Sequence, residues 1–172
     1  MNRFRRRQFL GFAFAAAISR RVQGQGAAVD GVNQTDYDVA DATTLAQWVA
    51  RGDASPPELL AEAVKRLRIV NPRLNLFSQD HIELALAASR ADLPQGPFTG
   101  VPFLLKDLGS QLQGTVTSSG SALHATARAK QDSEIVLRFK NAGLVIFGKT
   151  NTPEFGLALT TEGKHLGDCL NP

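Results

Sequence analysis

A lysine and an aspartate follow an apolar run near the middle of this chain. The run is Gly100–Leu105, and Lys106 and Asp107 come directly after it. Apolar residues around a single proline predict a short buried strand. Because a buried charge is costly unless it is paired or its pKa moves, Lys106 is a candidate for a desolvated lysine that acts as a neutral base near pH 7. The alternative is a strand that reaches the surface at Lys106 and leaves both charges in water.

The composition is that of a soluble globular protein with one domain. The 172 residues are 43% apolar and 20% charged. The net charge of +3 comes from residues 1–21, which hold six arginines and no acid. The remainder carries 13 basic and 16 acidic residues, so the charge indicates no nucleic-acid partner. The single cysteine, Cys169, permits no internal disulfide and no zinc cluster, and we expect no metal and no cofactor.

Residues 1–29 have the layout of an export signal. Arg5-Arg6-Arg7-Gln8-Phe9-Leu10 resembles a bacterial twin-arginine signal. The apolar run over residues 9–19 spans about 16 Å as a helix, well short of a bilayer core of roughly 30 Å. We therefore expect delivery to the periplasm or the cell exterior by an export machinery, cleavage between residues 23 and 30, and no stable membrane anchor. The alternative is a basic leader with no export role.

The remaining chain predicts alternating helices and strands after an irregular linker over residues 30–42. Ser55 and Glu58 mark one helix start, and Asn71-Pro72 is expected to stop that helix. The predicted helices cover residues 43–50, 56–71, 80–92 and 133–141, and the predicted strands cover residues 74–78, 101–105 and 144–147. A helix, a glycine stop and an apolar strand in succession indicate an α/β sheet.

Two loops allow more than one interpretation. The Gly-, Ser- and Thr-rich segment over residues 109–122 suits backbone N–H groups that approach a ligand, and it equally suits a surface turn. Gly143 and Gly148-Lys149-Thr150 match a phosphate-binding loop in spacing, but a predicted strand lies between the two glycines, so we reject that interpretation. His124 is a lone histidine, and such residues are more often surface groups than bases.

Taken in order, these segments resemble the amidase signature family over residues 44–172. The motifs that carry the resemblance are Leu59–Leu76, Gly100–Asp107, Thr117–Ser121, the helix after Asp132, and Gly148–Gly156. The family implies an α/β/α fold with a mixed central sheet. It also implies hydrolysis of a small-molecule amide by a serine nucleophile, with a bridging serine and a lysine as partners. The lysine of that triad corresponds to Lys106, which the resemblance makes a base shielded from water in the complete enzyme.

The serines of that triad are missing from these 172 residues. In the family they lie in a Gly-Gly-Ser-Ser-Gly-Gly-like loop shortly after Asn-Pro-Trp, and this sequence ends at Asn171-Pro172. We therefore expect residues 43–172 to be an incomplete, C-terminally truncated amidase domain, inactive alone, with strands such as 144–147 left at exposed sheet edges. The alternative to an exported amidase is a non-catalytic remnant that binds a partner through its open sheet.

Overall fold

The computed structural model describes residues 33–172. Its helices are α1 (Gln34–Val39), α2 (Ala42–Arg51), α3 (Pro56–Leu74), α4 (Ile82–Ser89) and α5 (Glu134–Asn141). Its strands are β1 (Phe77–Asp80), β2 (Pro102–Lys106), β3 (Val145–Thr150), β4 (Thr161–Gly163) and β5 (Gly167–Cys169). The predicted export signal at residues 1–29 lies outside the described residues. Within residues 33–172, no helix is both long enough and apolar enough to cross a membrane.

Local side-chain hydrogen bonds set where the helices begin. Asp41 accepts from the backbone N–H of Thr44 at 2.7 Å and so caps α2. Glu58 accepts from the backbone N–H of Ser55 at 2.8 Å and from its hydroxyl at 2.6 Å at the start of α3. These two bonds lower the pKa of the Glu58 carboxyl. The sequence therefore specifies these helix starts through short-range chemistry.

Several elements differ from the sequence-based expectations. The strand predicted over residues 74–78 lies at Phe77–Asp80, because Leu74 still belongs to α3, and the helix predicted over residues 80–92 spans Ile82–Ser89. The segment over residues 30–42 was expected to be irregular, but it contains α1, and Tyr37 of α1 packs on a core cluster around Leu59.

Helix α3 also continues through Pro72 instead of stopping there. The helix ends soon afterwards, because Asn75 adopts a left-handed conformation (φ 50°) and donates its backbone N–H to Asn71 O at 2.8 Å. Pro72 has no backbone N–H to donate to Arg68 O, so the last turn of α3 forms with one intrahelical hydrogen bond missing.

The main sheet is mixed, in the order β1-β3-β2. Strand β3 pairs in parallel with β2 and antiparallel with β1. This confirms the predicted α/β fold with a mixed sheet. The expectation that the strand at residues 144–147 lies at an edge is wrong, because β3 is central and β1 and β2 form the edges. The short hairpin of β4 and β5 forms a separate two-stranded sheet.

Alternate residues of β3 contribute to two core clusters. Side chains of a strand point to opposite faces in turn. Val145 and Phe147 belong to the cluster with α3 and α4, whereas Ile146 packs with Leu105 and Val136 in the cluster with α5. Helices thus cover the buried strand β3, and its carboxyl end carries the polar residues Lys149 and Thr150.

Candidate active site

The carboxyl ends of β2 and β3 form the candidate site. Because the two strands are parallel, their ends meet at one edge of the sheet, and Lys106 pairs with Thr150 while Leu105 pairs with Lys149. Ligands in open α/β sheets bind outside the carboxyl ends of the strands. The two motifs singled out at residues 100–107 and 148–156 are therefore adjacent in space.

Lys106 is the last residue of β2, and its side chain is exposed within the described residues. The preceding Leu105 is 1% exposed, so the strand does bury its apolar residues and then reaches the surface at Lys106. This geometry supplies a lysine at a strand end, in water. Shielding of Lys106 was expected for a complete enzyme and stays a prediction.

Asp107 behaves differently from Lys106, because it is fully buried. Its carboxylate accepts from the backbone N–H of Ser118 at 3.0 Å, from the Ser118 hydroxyl at 2.5 Å and from Gln79 Nε2 at 3.1 Å. Its backbone N–H donates to Thr150 O at 3.1 Å. These hydrogen bonds satisfy a buried charge, as such a charge requires. Asp107 therefore ties the end of β2 to β3 and to the loop that contains Ser118.

The buried lysine of this site is Lys149, which the sequence-based reasoning missed. Its side chain is 0% exposed, and its ammonium donates to Val116 O and, at 2.7 Å, to Thr117 Oγ1. Burial lowers the pKa of Lys149 from 10.5 to about 8, opposed by the nearby Asp107 charge. The available signal was that Lys149 follows the apolar run of β3 as Lys106 follows that of β2.

The loop over residues 117–121 packs on the segment over residues 152–156. Gly120 has φ 68°, and a Cβ there would lie 2.5 Å from Thr152 O, so only glycine fits. Phe155 donates its backbone N–H to Ser119 O at 2.8 Å, and the Ser121 hydroxyl donates to Glu154 Oε1 at 2.6 Å. The absence of a side chain at Gly120 therefore lets two segments of this chain pack closely against each other.

A cavity of about 300 Å³ opens beside this loop. Thr117, Ser119, His124 and Arg128 are among the residues that line it. His124 is half-buried, and its ring makes an edge contact with Phe155 at a centroid distance of 5.7 Å. Thr117, which accepts a hydrogen bond from Lys149, therefore also lines this polar cavity near the strand ends.

His81 is a second buried polar residue that the sequence did not single out. Its backbone N–H donates to Phe147 O at 3.1 Å, and burial lowers the pKa of its imidazole. Within residues 33–172, its Nε2 is the buried side-chain polar atom that lacks a hydrogen-bond partner. In the same residues, no three His, Cys, Asp or Glu side chains are grouped so that they could hold a metal ion.

Comparison with known proteins gives several matches. A 6-aminohexanoate-cyclic-dimer hydrolase from Paenarthrobacter ureafaciens is 42% identical over 134 residues, which cover 77% of this chain and 27% of that relative. A lipoamidase from Enterococcus faecalis is 35% identical over 141 residues, which cover 81% of this chain and 19% of that relative. The chain thus spans less than a third of the length of these relatives.

Solved structures agree with this similarity. The structure of 6-aminohexanoate cyclic dimer hydrolase complexed with substrate matches with a TM-score of 0.72 and 40% identity, over 77% of this chain and 27% of that one. The peptide amidase PAM matches with a TM-score of 0.70 and 25% identity, over 78% of this chain and 30% of that one. The family model described as Amidase matches residues 58–172, more than half of the chain. The chain therefore belongs to the amidase family.

Proposed function

We propose that this chain supplies the N-terminal part of an exported enzyme that hydrolyses the amide C–N bond of a small molecule, with Lys106 as the base of a Ser-Ser-Lys triad. The observation that carries the proposal is the position of Lys106 at the carboxyl end of β2, next to the anchored Asp107, in a chain of the amidase family. Fixed backbone on either side of a catalytic side chain favours a defined reaction geometry.

The chemistry requires a neutral amine at Lys106. That amine would accept a proton relayed by a bridging serine, so that the nucleophilic serine oxygen can attack the amide carbonyl carbon. Backbone N–H groups would stabilise the oxyanion, and the leaving amine would take up the proton as the C–N bond breaks. Water would then release the acid from the acyl-serine. Both serines would come from a loop that residues 1–172 do not contain.

Desolvation of Lys106 is part of the same proposal. A lysine exposed to water is protonated near pH 7, and burial favours its neutral form. In the described residues Lys106 is exposed, so a further segment that carries the serines would also have to cover it. The site would then gain its nucleophile and its low-dielectric surroundings together.

The proposed substrate is a small-molecule amide. The similar proteins include a cyclic-dimer hydrolase and a lipoamidase, which differ in what their names say they act on. We therefore propose the opening of an amide C–N bond and name no particular amide.

A non-catalytic role is the second candidate. Strands β1 and β2 are sheet edges, and Leu157 and Leu159 are 86% and 108% exposed. Open edges and exposed apolar side chains are features of binding surfaces. This candidate would make the chain a remnant that binds a partner.

The nucleotide sequence downstream of the Pro172 codon separates the two candidates. An open frame that encodes a Gly-Gly-Ser-Ser-Gly-Gly-like loop supports the amidase. A stop codon at that position in the native gene contradicts it and supports the remnant.

A further inference from the structure

Lys149 is a buried cation that the proposed mechanism does not use. Its side chain is 0% exposed, and its ammonium bonds to Val116 O and Thr117 Oγ1. Moving a charge out of water costs several kcal/mol, and two hydrogen bonds and the nearby Asp107 charge recover only part of that cost, because the pKa of Lys149 remains lowered. An apolar residue of similar length would avoid the cost, so overall stability does not account for a lysine here.

The two acceptors of Lys149 lie directly before Ser118 in the chain. Ser118 holds the Asp107 carboxylate through its N–H at 3.0 Å and its hydroxyl at 2.5 Å. Asp107 follows Lys106 directly, and Lys149 pairs with Leu105 on the neighbouring strand. One continuous set of contacts therefore runs from Lys149 through residues 116–118 to the residue after Lys106.

The other hydrogen bonds of the loop over residues 116–118 lie mainly at its end, where Ser118 bonds to Asp107 and its carbonyl oxygen accepts from Ser121 N–H at 3.0 Å. The loop forms no helix or strand, and its regular pairing is one isolated bridge between Val116 and Arg128. Thr117 also donates its backbone N–H to Ala127 O at a long 3.3 Å. Charge-assisted hydrogen bonds are about twice as strong as neutral ones and impose a direction, which suits them to holding such a loop.

We propose that Lys149 is a positioning residue, which holds the 116–118 loop so that Ser118 fixes Asp107 and, with it, the end of β2 that carries Lys106. The part of this inference that concerns Lys106 rests on the proposed amidase function. The part that concerns the loop does not rest on that function, because the hydrogen bonds from Lys149 to the loop lie within residues 33–172.

Hydrogen exchange of the 172-residue chain, followed peptide by peptide, tests this inference. Lys149→Met keeps the length of the side chain and removes the ammonium, and Thr117→Val removes one acceptor at constant shape. Thr117→Val should speed exchange at residues 105–107 and 116–121 by about tenfold, the effect of one lost hydrogen bond to a charge. Lys149→Met removes both hydrogen bonds of the ammonium and should speed exchange at the same residues by at least as much. Thr117→Ser, which retains the hydroxyl, should restore slow exchange. Lys65→Met, on the exposed face of α3, is the matched control.

A merely structural lysine would give a different pattern. In that case Lys149→Met would speed exchange across the whole core, including the central strand β3, and Thr117→Val would have no local effect. That pattern, or unchanged exchange at residues 105–107, would overturn the inference. None of these readouts requires amide turnover, so a failure of the proposed enzyme activity and a failure of the positioning role are distinguishable.

Discussion

The carboxylate of Asp107 receives both hydrogen-bond donors of Ser118, the backbone N–H at 3.0 Å and the hydroxyl at 2.5 Å. Both residues are buried, at 0% and 2% exposure. Asp107 ends the motif of β2, and Ser118 lies in the Gly- and Ser-rich loop, so this pair joins two motifs that are separated in the sequence. The candidate site is organised around this contact.

Asp107→Ala should destabilise the chain by roughly 2–4 kcal/mol, because it leaves the two donors of Ser118 buried without an acceptor and removes the bond from Gln79. Urea unfolding followed by the fluorescence of Trp48, the single tryptophan, measures this free energy. Asp53→Ala is the matched control, since Asp53 forms an exposed ion pair with Arg51 and should cost less than about 1 kcal/mol. Equal losses in the two variants would contradict the role of Asp107.

The pH dependence of stability should reveal Lys149. Its pKa is about 8 in the folded chain and 10.5 in the unfolded chain. Between these values the unfolded chain binds more protons, so the free energy of unfolding should rise as pH increases from about 8 to about 10, by up to roughly 3 kcal/mol. Below pH 8 Lys149 is protonated in both the folded and the unfolded chain, so it adds no pH dependence to the free energy of unfolding.

Lys149→Met is the comparison that isolates this effect. Burial raises the pKa of Tyr37, so the free energy of unfolding should fall with pH above pH 10. This fall should be the same in the unsubstituted chain and in Lys149→Met. The difference between the two proteins at pH 7 and at pH 10 therefore reports Lys149 alone. Identical pH profiles would show that Lys149 titrates normally in the folded chain.

The proposed export signal predicts a dependence on two arginines. Residues 1–35 fused to a reporter should deliver it to the periplasm, and replacement of Arg6 and Arg7 by lysine should abolish delivery, because the twin-arginine pathway reads that pair. Cell fractionation measures the result. Replacement of Arg3 and Arg5 by lysine is the control with the same number of changes. Undiminished delivery by the Arg6 and Arg7 variant would sink the twin-arginine assignment.

Residues 30–172 alone should hydrolyse no amide. Acyl transfer needs a nucleophile, a base and oxyanion donors, and only the proposed base is present. A lone base gives about 10²–10⁴-fold acceleration, against the ~10⁶-fold or more typical of enzymes. A panel of aliphatic and aromatic amides, with Lys106→Ala as control, measures this. Turnover that is lost in the control would overturn the prediction.

The same polypeptide should associate in solution. Its sheet edges β1 and β2 and exposed side chains such as Leu159 favour self-association. Gel filtration measures its size. Elution as a monomer would count against the exposed-edge argument.

Local signals in the sequence predicted much of the fold. Ser55 and Glu58 marked the start of α3, and the apolar residues before Lys106 and Lys149 marked β2 and β3. The end of α3 was misplaced because the helix accommodates the one hydrogen bond that Pro72 cannot make and ends at Asn75, in the left-handed conformation. The central place of β3 depends on pairing with β1, which no local pattern reveals.

The polar network was harder to predict than the strands. Lys149 belongs to a rejected phosphate-loop spacing and to the Gly148–Gly156 motif, and neither pattern indicates that its side chain is buried. Its burial depends on the 116–118 loop, some thirty residues away, which folds over it. Asp107 and Lys106 were treated as one charged pair, although alternation along a strand turns one side chain inward and the other outward.

The central claim, that Lys106 is the base of an amidase, is tested most directly in a completed enzyme. Residues 33–172 would replace the matching segment of the 6-aminohexanoate-cyclic-dimer hydrolase from Paenarthrobacter ureafaciens, to which they are 42% identical over 134 residues. The kcat for amide hydrolysis is then compared between this chimera, its Lys106→Ala variant and a Lys65→Ala control, with circular dichroism to show that each is folded. Lys106→Ala should lower kcat by about 10²-fold or more, whereas Lys65→Ala should leave it unchanged. A folded Lys106→Ala chimera with a near-normal kcat would contradict the role of Lys106 as the base.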